Sequence, residues 1–197
     1  MSRQTWVMQV MSKVRRLMWY AEYEDQFHSW EHLSVKQREE FFIGEEYLPL
    51  PPTHADRIRV LHGAPARELI KKALVGFPGY SSTATSKFTR EESILLTDVW
   101  NDQSKIQQVR DWLHNKGLSY SSLVHLLYDD LVVATDWKIV VKYWDAFAWR
   151  VGIEMLALDS TKSWACSFHH EDAITFSSHK QAPIQGLPLK SGKRPLR

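Results

Sequence analysis

The sequence contains a single cysteine, Cys166, among its 197 residues. One cysteine cannot form an intramolecular disulfide, which excludes a disulfide-framed secreted fold and favours a reducing compartment. No apolar run reaches the roughly 18 residues that span a bilayer. The N-terminal stretch also lacks the uninterrupted apolar segment of a secretory signal. We therefore expect a cytoplasmic protein with no transmembrane segment.

Short motifs that indicate common chemistries are missing as well. The sequence contains no nucleophile-elbow, phosphate-loop, dinucleotide-binding or paired-cysteine pattern, that is, no GxSxG, GxxxxGK[ST], GxGxxG or CxxC. Their absence favours a non-catalytic protein without a cofactor, although it does not exclude an enzyme.

Charge is distributed unevenly along the chain, although the net charge is only +2. Residues 1–20 and 173–197 carry basic side chains and no acid, so the body between them must be acidic. The segment 180–197 is basic and contains proline and glycine, which predicts a tail. We expect residues 1–179 to form a single globular domain, with a subdivision possible near 48–53 or 118–122.

Apolar residues recur at helical spacing through most of the first two-thirds of the chain. Two capping-box patterns, Ser34–Gln37 and Thr89–Glu92, each predict the start of a helix. The spacing predicts helices that begin near residues 7, 34, 53, 65, 89 and 102.

The pattern changes after residue 122. Short apolar runs over 123–128 and 131–135 predict two strands, and runs over 151–158, 164–168 and 173–176 predict a meander. Residues 136–149 are compatible with a helix by spacing and with a strand by their β-branched content. The fold class expected is therefore α+β, with a helical N-terminal two-thirds followed by a small antiparallel β-meander.

The succession of elements over residues 123–177 loosely resembles that of small bacterial immunity-type proteins or of uncharacterised accessory proteins. It consists of strands, a tryptophan-rich segment and a three-stranded meander, and it carries no motif that is specific to such proteins. The surplus of aromatic residues, the acidic body and the lack of a catalytic set favour a protein that binds another macromolecule, as an immunity- or antitoxin-like inhibitor in bacterial defence does.

Nine tryptophans are more than one small core buries easily. Exposed tryptophan is typical of binding surfaces, because the ring contributes apolar area and its N–H can donate a hydrogen bond. The leading hypothesis is a non-catalytic interaction protein that binds a protein partner, and a homo-oligomer is compatible with it. The four residues expected to be hardest to bury, and hence to contact the partner, are Trp19, Trp30, Trp144 and Trp149.

A first alternative is binding to nucleic acid. Lysine and arginine neutralise phosphates, and the expected helical hairpin over 89–116 has the outline of a helix-turn-helix. The basic residues that would contact nucleic acid are Lys105, Arg110, Lys116, Lys190, Lys193 and Arg194.

A second alternative is a metal-dependent hydrolase. The segment from His28 to His32 matches the HxxEH pattern, in which two histidines one helical turn apart bind a metal and Glu31 acts as the base. No third ligand is indicated by spacing. A second polar group, residues 169–172, follows Cys166 and is better explained as a polar turn.

Overall fold

The computed structural model describes residues 18–41, 47–75, 88–97, 99, 102–148, 154–169 and 173–179. Their dominant element is one eight-stranded antiparallel sheet with the strand order β1-β2-β5-β4-β6-β7-β8-β3. The strands are β1 His28–Ser29, β2 Arg59–His62, β3 Arg90–Leu95, β4 Leu123–Leu127, β5 Leu131–Asp136, β6 Met155–Asp159, β7 Trp164–His169 and β8 Ala173–Ser178.

Six α-helices accompany the sheet in the described part of the chain. They are α1 Val35–Phe41, α2 Pro52–Ala55, α3 Ala64–Leu74, α4 Gln103–His114, α5 Trp137–Lys142 and α6 Trp144–Ala148. Two 3₁₀ segments, Ala21–Gln26 and Trp30–His32, flank β1. None of the described helices is long and apolar enough to cross a membrane.

The first face of the sheet is packed by α1, α4, α5 and α6. Strand residues such as Leu126, Val133 and Cys166 meet the buried helix residues Leu113 and Phe147 in one core. Alternate strand residues point to this face, which explains why an antiparallel pattern with period two builds a continuous apolar layer.

The second face is packed by α3 together with the segment that precedes β1. Leu69 and Ala73 of α3 contact the same core as Leu127, Val132 and Leu156 of the strands. The strands β4 to β7 are therefore buried on both faces, which accounts for their nearly continuous apolar runs.

The fold class expected from the sequence is wrong in its arrangement. Strands occur throughout the described chain, and β1, β2 and β3 lie in the part that was expected to be helical. All three pair with distant strands, since β2 pairs with β5 and β3 pairs with β8. Short segments of this kind become strands because they pair with strands that are distant in sequence. The spacing of apolar residues within the segment carries no information about those distant partners.

The later strands and several helices agree with the sequence analysis. The hairpin β4–β5 and the meander β6–β7–β8 form with antiparallel pairing. At α1, Gln37 N–H donates to the Ser34 hydroxyl and the Gln37 amide oxygen accepts from the Ser34 N–H, so this capping box is confirmed. The open question at 136–149 resolves as helix over 137–142 and 144–148.

The sheet is continuous across both points at which the sequence suggests a subdivision. Strand β1 precedes 48–53 and pairs with β2 after it, and β3 and β4 on either side of 118–122 belong to the same sheet. The expected tail over 180–197 and most of the expected first helix lie outside the described residues.

Candidate functional site

A cleft of about 580 Å³ opens on the first face of the sheet, and we name it the Lys116 cleft. Five neighbouring strands contribute to its lining, from β4 and β6 across β7 and β8 to the edge strand β3, and the segment after α4 supplies its wall. Its volume lies in the range typical of ligand sites. The residues that line it include Arg90, Glu92, Lys116, Leu118, Ser122, Trp164 and Phe176.

The floor of the Lys116 cleft is aromatic. The rings of Trp164 and Phe176 stack with centroids 5.6 Å apart and an interplanar angle of 29°. Trp137, at the start of α5, packs edge-on against Trp164, and the centroids of the two rings are 5.3 Å apart. Because Phe176 pairs with Cys166 in the β7–β8 register, Trp164 and Phe176 occupy diagonal positions on one face. The stacking therefore follows directly from the strand register.

A charged cluster stands beside this floor. The ammonium group of Lys116 donates a hydrogen bond of 2.6 Å to the Glu92 carboxylate and lies 3.5 Å from the centroid of the Trp112 ring. Arg90 forms an ion pair with the same carboxylate. The hydrogen bond from Lys116 is the main cause that lowers the pKa of Glu92, while burial opposes it. The cleft thus combines an apolar floor with a fixed cation.

Asp159 builds the turn at one end of the cleft. Its carboxylate accepts hydrogen bonds from the Ser163 N–H at 2.6 Å, the Ser163 hydroxyl at 2.9 Å and the Thr161 hydroxyl at 2.6 Å. These contacts occupy both carboxylate oxygens within the β6–β7 hairpin. Asp159 therefore holds the β6–β7 turn that shapes the wall of the cleft.

Strand β3 forms the open side of the cleft. It pairs with β8 through all six of its residues, and among the described residues no strand pairs with its other edge. Arg90 and Glu92 point into the cleft, while Leu95 at the end of the strand is 71% exposed. An edge strand offers unpaired backbone N–H and C=O groups to any extended segment that approaches it.

Three of the four tryptophans expected at a partner surface are buried. Trp19, Trp30 and Trp144 are 8%, 4% and 0% exposed, so the expectation that they resist burial is wrong for them. The Trp19 indole donates to the Asp159 carbonyl at 3.1 Å, and the Trp144 indole donates to the Ile106 carbonyl at 3.4 Å. Trp149 lies outside the described residues.

The residues proposed for nucleic-acid binding are not arranged as expected. Residues 90–95 form β3, so the helical hairpin over 89–116 does not exist. Lys105 donates to the Thr97 carbonyl at 2.9 Å, Arg110 donates to the Tyr47 hydroxyl at 2.9 Å, and Lys116 is held by Glu92. The remaining three candidates, Lys190, Lys193 and Arg194, lie outside the described residues.

The two histidines proposed as metal ligands are brought together in a different way. His28 lies in β1 and His32 in a 3₁₀ segment, so they are not one turn apart on an α-helix. Their exposed rings stack with centroids 4.7 Å apart. Within the described ranges, no group of three or more His, Cys, Asp or Glu side chains could hold a metal ion.

Cys166 is fully buried on the first face of the sheet. Burial raises the pKa of its thiol strongly, which keeps it protonated and makes it a poor nucleophile. In the second polar group, the Nε2 of His169 lies 2.9 Å from the Oε1 of Glu154. Residues 170–172 lie outside the described part of the chain. This region therefore brings no reactive thiolate to the surface.

His125 is another buried titratable residue, and it lies on the opposite face of the sheet from Cys166. Its ring lies 4.9 Å from that of Trp19 and 4.2 Å from that of Tyr20, and its Nδ1 has no hydrogen-bond partner. Burial lowers the pKa of His125 to about 3, so the ring is neutral near pH 7. The imidazole is 1% exposed and lies at the base of a small hollow of about 90 Å³, whose lining includes Tyr20 and Phe27.

The residues that form the Lys116 cleft were largely missed by sequence reasoning. Lys116 was named, but for contact with nucleic acid, and Glu92 was interpreted as part of a helix cap. The sequence of β3 has four polar residues followed by two apolar ones, so it carries no apolar–polar alternation that would have indicated a strand. Comparison of the chain with protein-family models, curated proteins and solved structures finds no match in any of the three.

Proposed function

We propose that this chain is a non-catalytic binding protein that takes an extended segment of a protein partner along β3 and into the Lys116 cleft. The observation that carries the proposal is the position of the cleft beside β3, the last strand of the sheet in the part of the chain that the structure describes. Addition of a strand to a sheet edge is a common mode of peptide recognition, in which the backbone supplies affinity and nearby pockets supply specificity.

The geometry defines what the partner segment must offer. A ninth strand would lie about 5 Å beyond β3, with alternate side chains on the first face. Side chains of opposite charge would stand beside Arg90 and Glu92 at the rim of the cleft. An aromatic or aliphatic side chain that follows the strand would enter the cleft and cover the stacked rings of Trp164 and Phe176.

The exposed end of β3 also supports a partner at this edge. Leu95 is one of the most exposed large apolar residues in the described part of the chain. Arg90, Glu91 and Glu92 place charges of both signs along this edge. A partner segment with a complementary order of charges would pair with them.

The described residues favour binding over catalysis. The buried thiol of Cys166 and the buried imidazole of His125 lie on opposite faces of the sheet, and the carboxylate of Asp159 is occupied. We further propose that binding inhibits the partner, in the manner of an immunity- or antitoxin-like inhibitor.

The experiment isolates the untagged protein from its native host by gentle affinity capture and identifies the proteins bound to it. Half of the sample is treated with nuclease. A stoichiometric protein that survives nuclease is expected with the native chain. The variant Leu95→Lys places a charge at the edge of β3 and should no longer bind this partner protein. The variant Ser122→Trp fills the Lys116 cleft and should lose the partner as well. The purified companion's own activity, measured with and without this protein, then tests inhibition.

The matched control is Val75→Lys, because Val75 is 75% exposed at the end of α3 and lies away from β3. It should retain the companion, and circular dichroism should show that all variants are folded. Retention of the companion by Leu95→Lys and Ser122→Trp would contradict the proposed site. Release of all companions by nuclease would instead favour the nucleic-acid alternative.

A further inference from the structure

A second concave surface lies among α2, the loop before β4 and α5. Its volume is about 260 Å³, and we name it the His54 groove after the imidazole in its wall. Thr53, Arg57, Ser121 and Lys138 also line it. The proposed partner-binding site contributes none of these residues, so the groove is independent of the Lys116 cleft.

The imidazole of His54 has a defined hydrogen-bonding direction. Its Nδ1 lies 2.7 Å from the hydroxyl of Tyr143, a residue that is only 2% exposed. Burial raises the pKa of Tyr143, and burial together with nearby cations lowers the pKa of His54. In the tautomer that carries its proton on Nε2, the His54 Nδ1 accepts from the Tyr143 hydroxyl.

The charges around the groove are mostly positive. After burial, the causes that lower the pKa of His54 are the cations Lys142, Lys138 and Arg57. Asp136 is the only carboxylate among the described lining residues, and Arg57 forms an ion pair with it. An excess of positive charge therefore faces a space that is large enough for a small ligand.

The donors in the groove match one chemical class. The His54 Nε2–H, the Lys138 ammonium group and the hydroxyls of Thr53 and Ser121 can all donate hydrogen bonds. A doubly charged oxyanion accepts several such bonds at once, and charge-assisted hydrogen bonds are stronger than neutral ones. Lys138 is the cation of the lining that such an anion would contact, since the other cation, Arg57, is paired with Asp136.

We propose that the His54 groove binds the phosphate group of a small phosphate monoester. Lys138 supplies the main charge contact, and the His54 Nε2–H and the hydroxyls of Thr53 and Ser121 orient the phosphate oxygens. The tyrosine beneath, Tyr143, acts as a positioning residue, because its hydroxyl fixes the tautomer of His54.

The test is a titration of the full-length protein with three probes, followed by nuclear magnetic resonance of its histidine ring nitrogens. The probes are inorganic phosphate, phenyl phosphate and dimethyl phosphate. Saturable shifts of the His54 resonances are expected with the first two. Dimethyl phosphate carries one charge and should bind at least about fivefold more weakly.

Two variants decide where the phosphate binds. Lys138→Gln should weaken binding of inorganic phosphate by about tenfold, since it removes one charge-assisted contact. Lys71→Gln is the control, because Lys71 is exposed on α3 across the sheet, and it should leave binding unchanged.

Several results would overturn this assignment. Absence of a saturable shift with every probe would remove the site, and equal losses in Lys138→Gln and Lys71→Gln would reduce it to general charge attraction. Tighter binding of dimethyl phosphate than of phenyl phosphate would exclude a monoester and indicate a nucleic-acid backbone. All of these measurements are independent of whether a protein partner occupies the Lys116 cleft.

Discussion

Lys116 donates a hydrogen bond of 2.6 Å to Glu92 across the gap between the end of a helix and the edge strand of the sheet. The two side chains differ in their access to water, because the Lys116 side chain is 5% exposed and that of Glu92 is 34% exposed. This pair ties α4 to β3 and holds one wall of the proposed binding cleft in position.

The unequal exposure of this pair predicts unequal effects of mutation. Glu92→Ala leaves a buried ammonium group without its carboxylate and should lower the free energy of unfolding by about 3 kcal/mol. Lys116→Met keeps the apolar stem, and Glu92 retains both water and Arg90, so the loss should be about 1 kcal/mol. Urea unfolding of both variants measures the difference, and a larger loss for Lys116→Met would contradict this account.

The buried imidazole of His125 predicts a loss of stability in acid. Its pKa is lowered from 6.5 to about 3 in the folded chain, so the unfolded chain binds more protons between these two values. The stability that the buried neutral His125 contributes is fully present above pH 6.5 and is lost as the pH falls from 6.5 toward 3. One pH unit corresponds to about 1.4 kcal/mol, so titration of His125 should lower the free energy of unfolding by about 2 kcal/mol between pH 6.5 and pH 5.

The readout for His125 is the slope of unfolding free energy against pH. The variant His125→Phe should show a shallower slope than the native chain over pH 5 to 6.5, whatever its absolute stability. His62→Phe is the control, because His62 is exposed at the end of β2. Equal slopes in the native chain and His125→Phe would show that His125 is not the group that titrates.

The thiol of Cys166 should be unreactive in the folded protein. It is 0% exposed, and burial raises its pKa. A thiol reagent added at pH 8 should label one group per chain in denaturant and almost none in buffer, at a rate set by unfolding. Rapid labelling of the folded protein, followed by mass spectrometry, would contradict the described packing of β7.

Asp159 should matter for folding of the hairpin that bounds the cleft. Asp159→Ala removes the acceptor of the Ser163 N–H and of two hydroxyls, and should lower the free energy of unfolding by about 2 kcal/mol. Thr161→Ala removes only one of these donors and should cost less than about 1 kcal/mol. Thermal unfolding compares the two variants, and equal losses would count against a central role for the carboxylate.

The sequence predicts much of the fold where neighbouring residues carry the information. The Ser34–Gln37 cap, helix α3 and the hairpin β4–β5 depend on capping, periodicity and turn residues within a few positions. The same holds for the meander of β6, β7 and β8, whose connections are short. These elements form as their local patterns indicate.

The Thr89–Glu92 pattern shows where local information fails. The Thr89 hydroxyl donates to the carbonyls of Ser178 and His179 at 3.4 and 3.3 Å, and Glu92 accepts from Lys116. Both side chains therefore have partners that are distant in sequence, and the segment pairs with β8. A capping box cannot indicate this, because the competing partners lie at least 24 residues away.

The sequence by itself determined the single cysteine, the surplus of tryptophan, the uneven charge and the locally coded hairpins and helices. The tertiary structure decided which tryptophans are buried, since a sheet covered on both faces has room for rings that composition alone would leave outside. It also decided the Lys116 cleft and the His54 groove, because each joins side chains from separate parts of the chain. Such a juxtaposition depends on strand order and register, which long-range packing fixes.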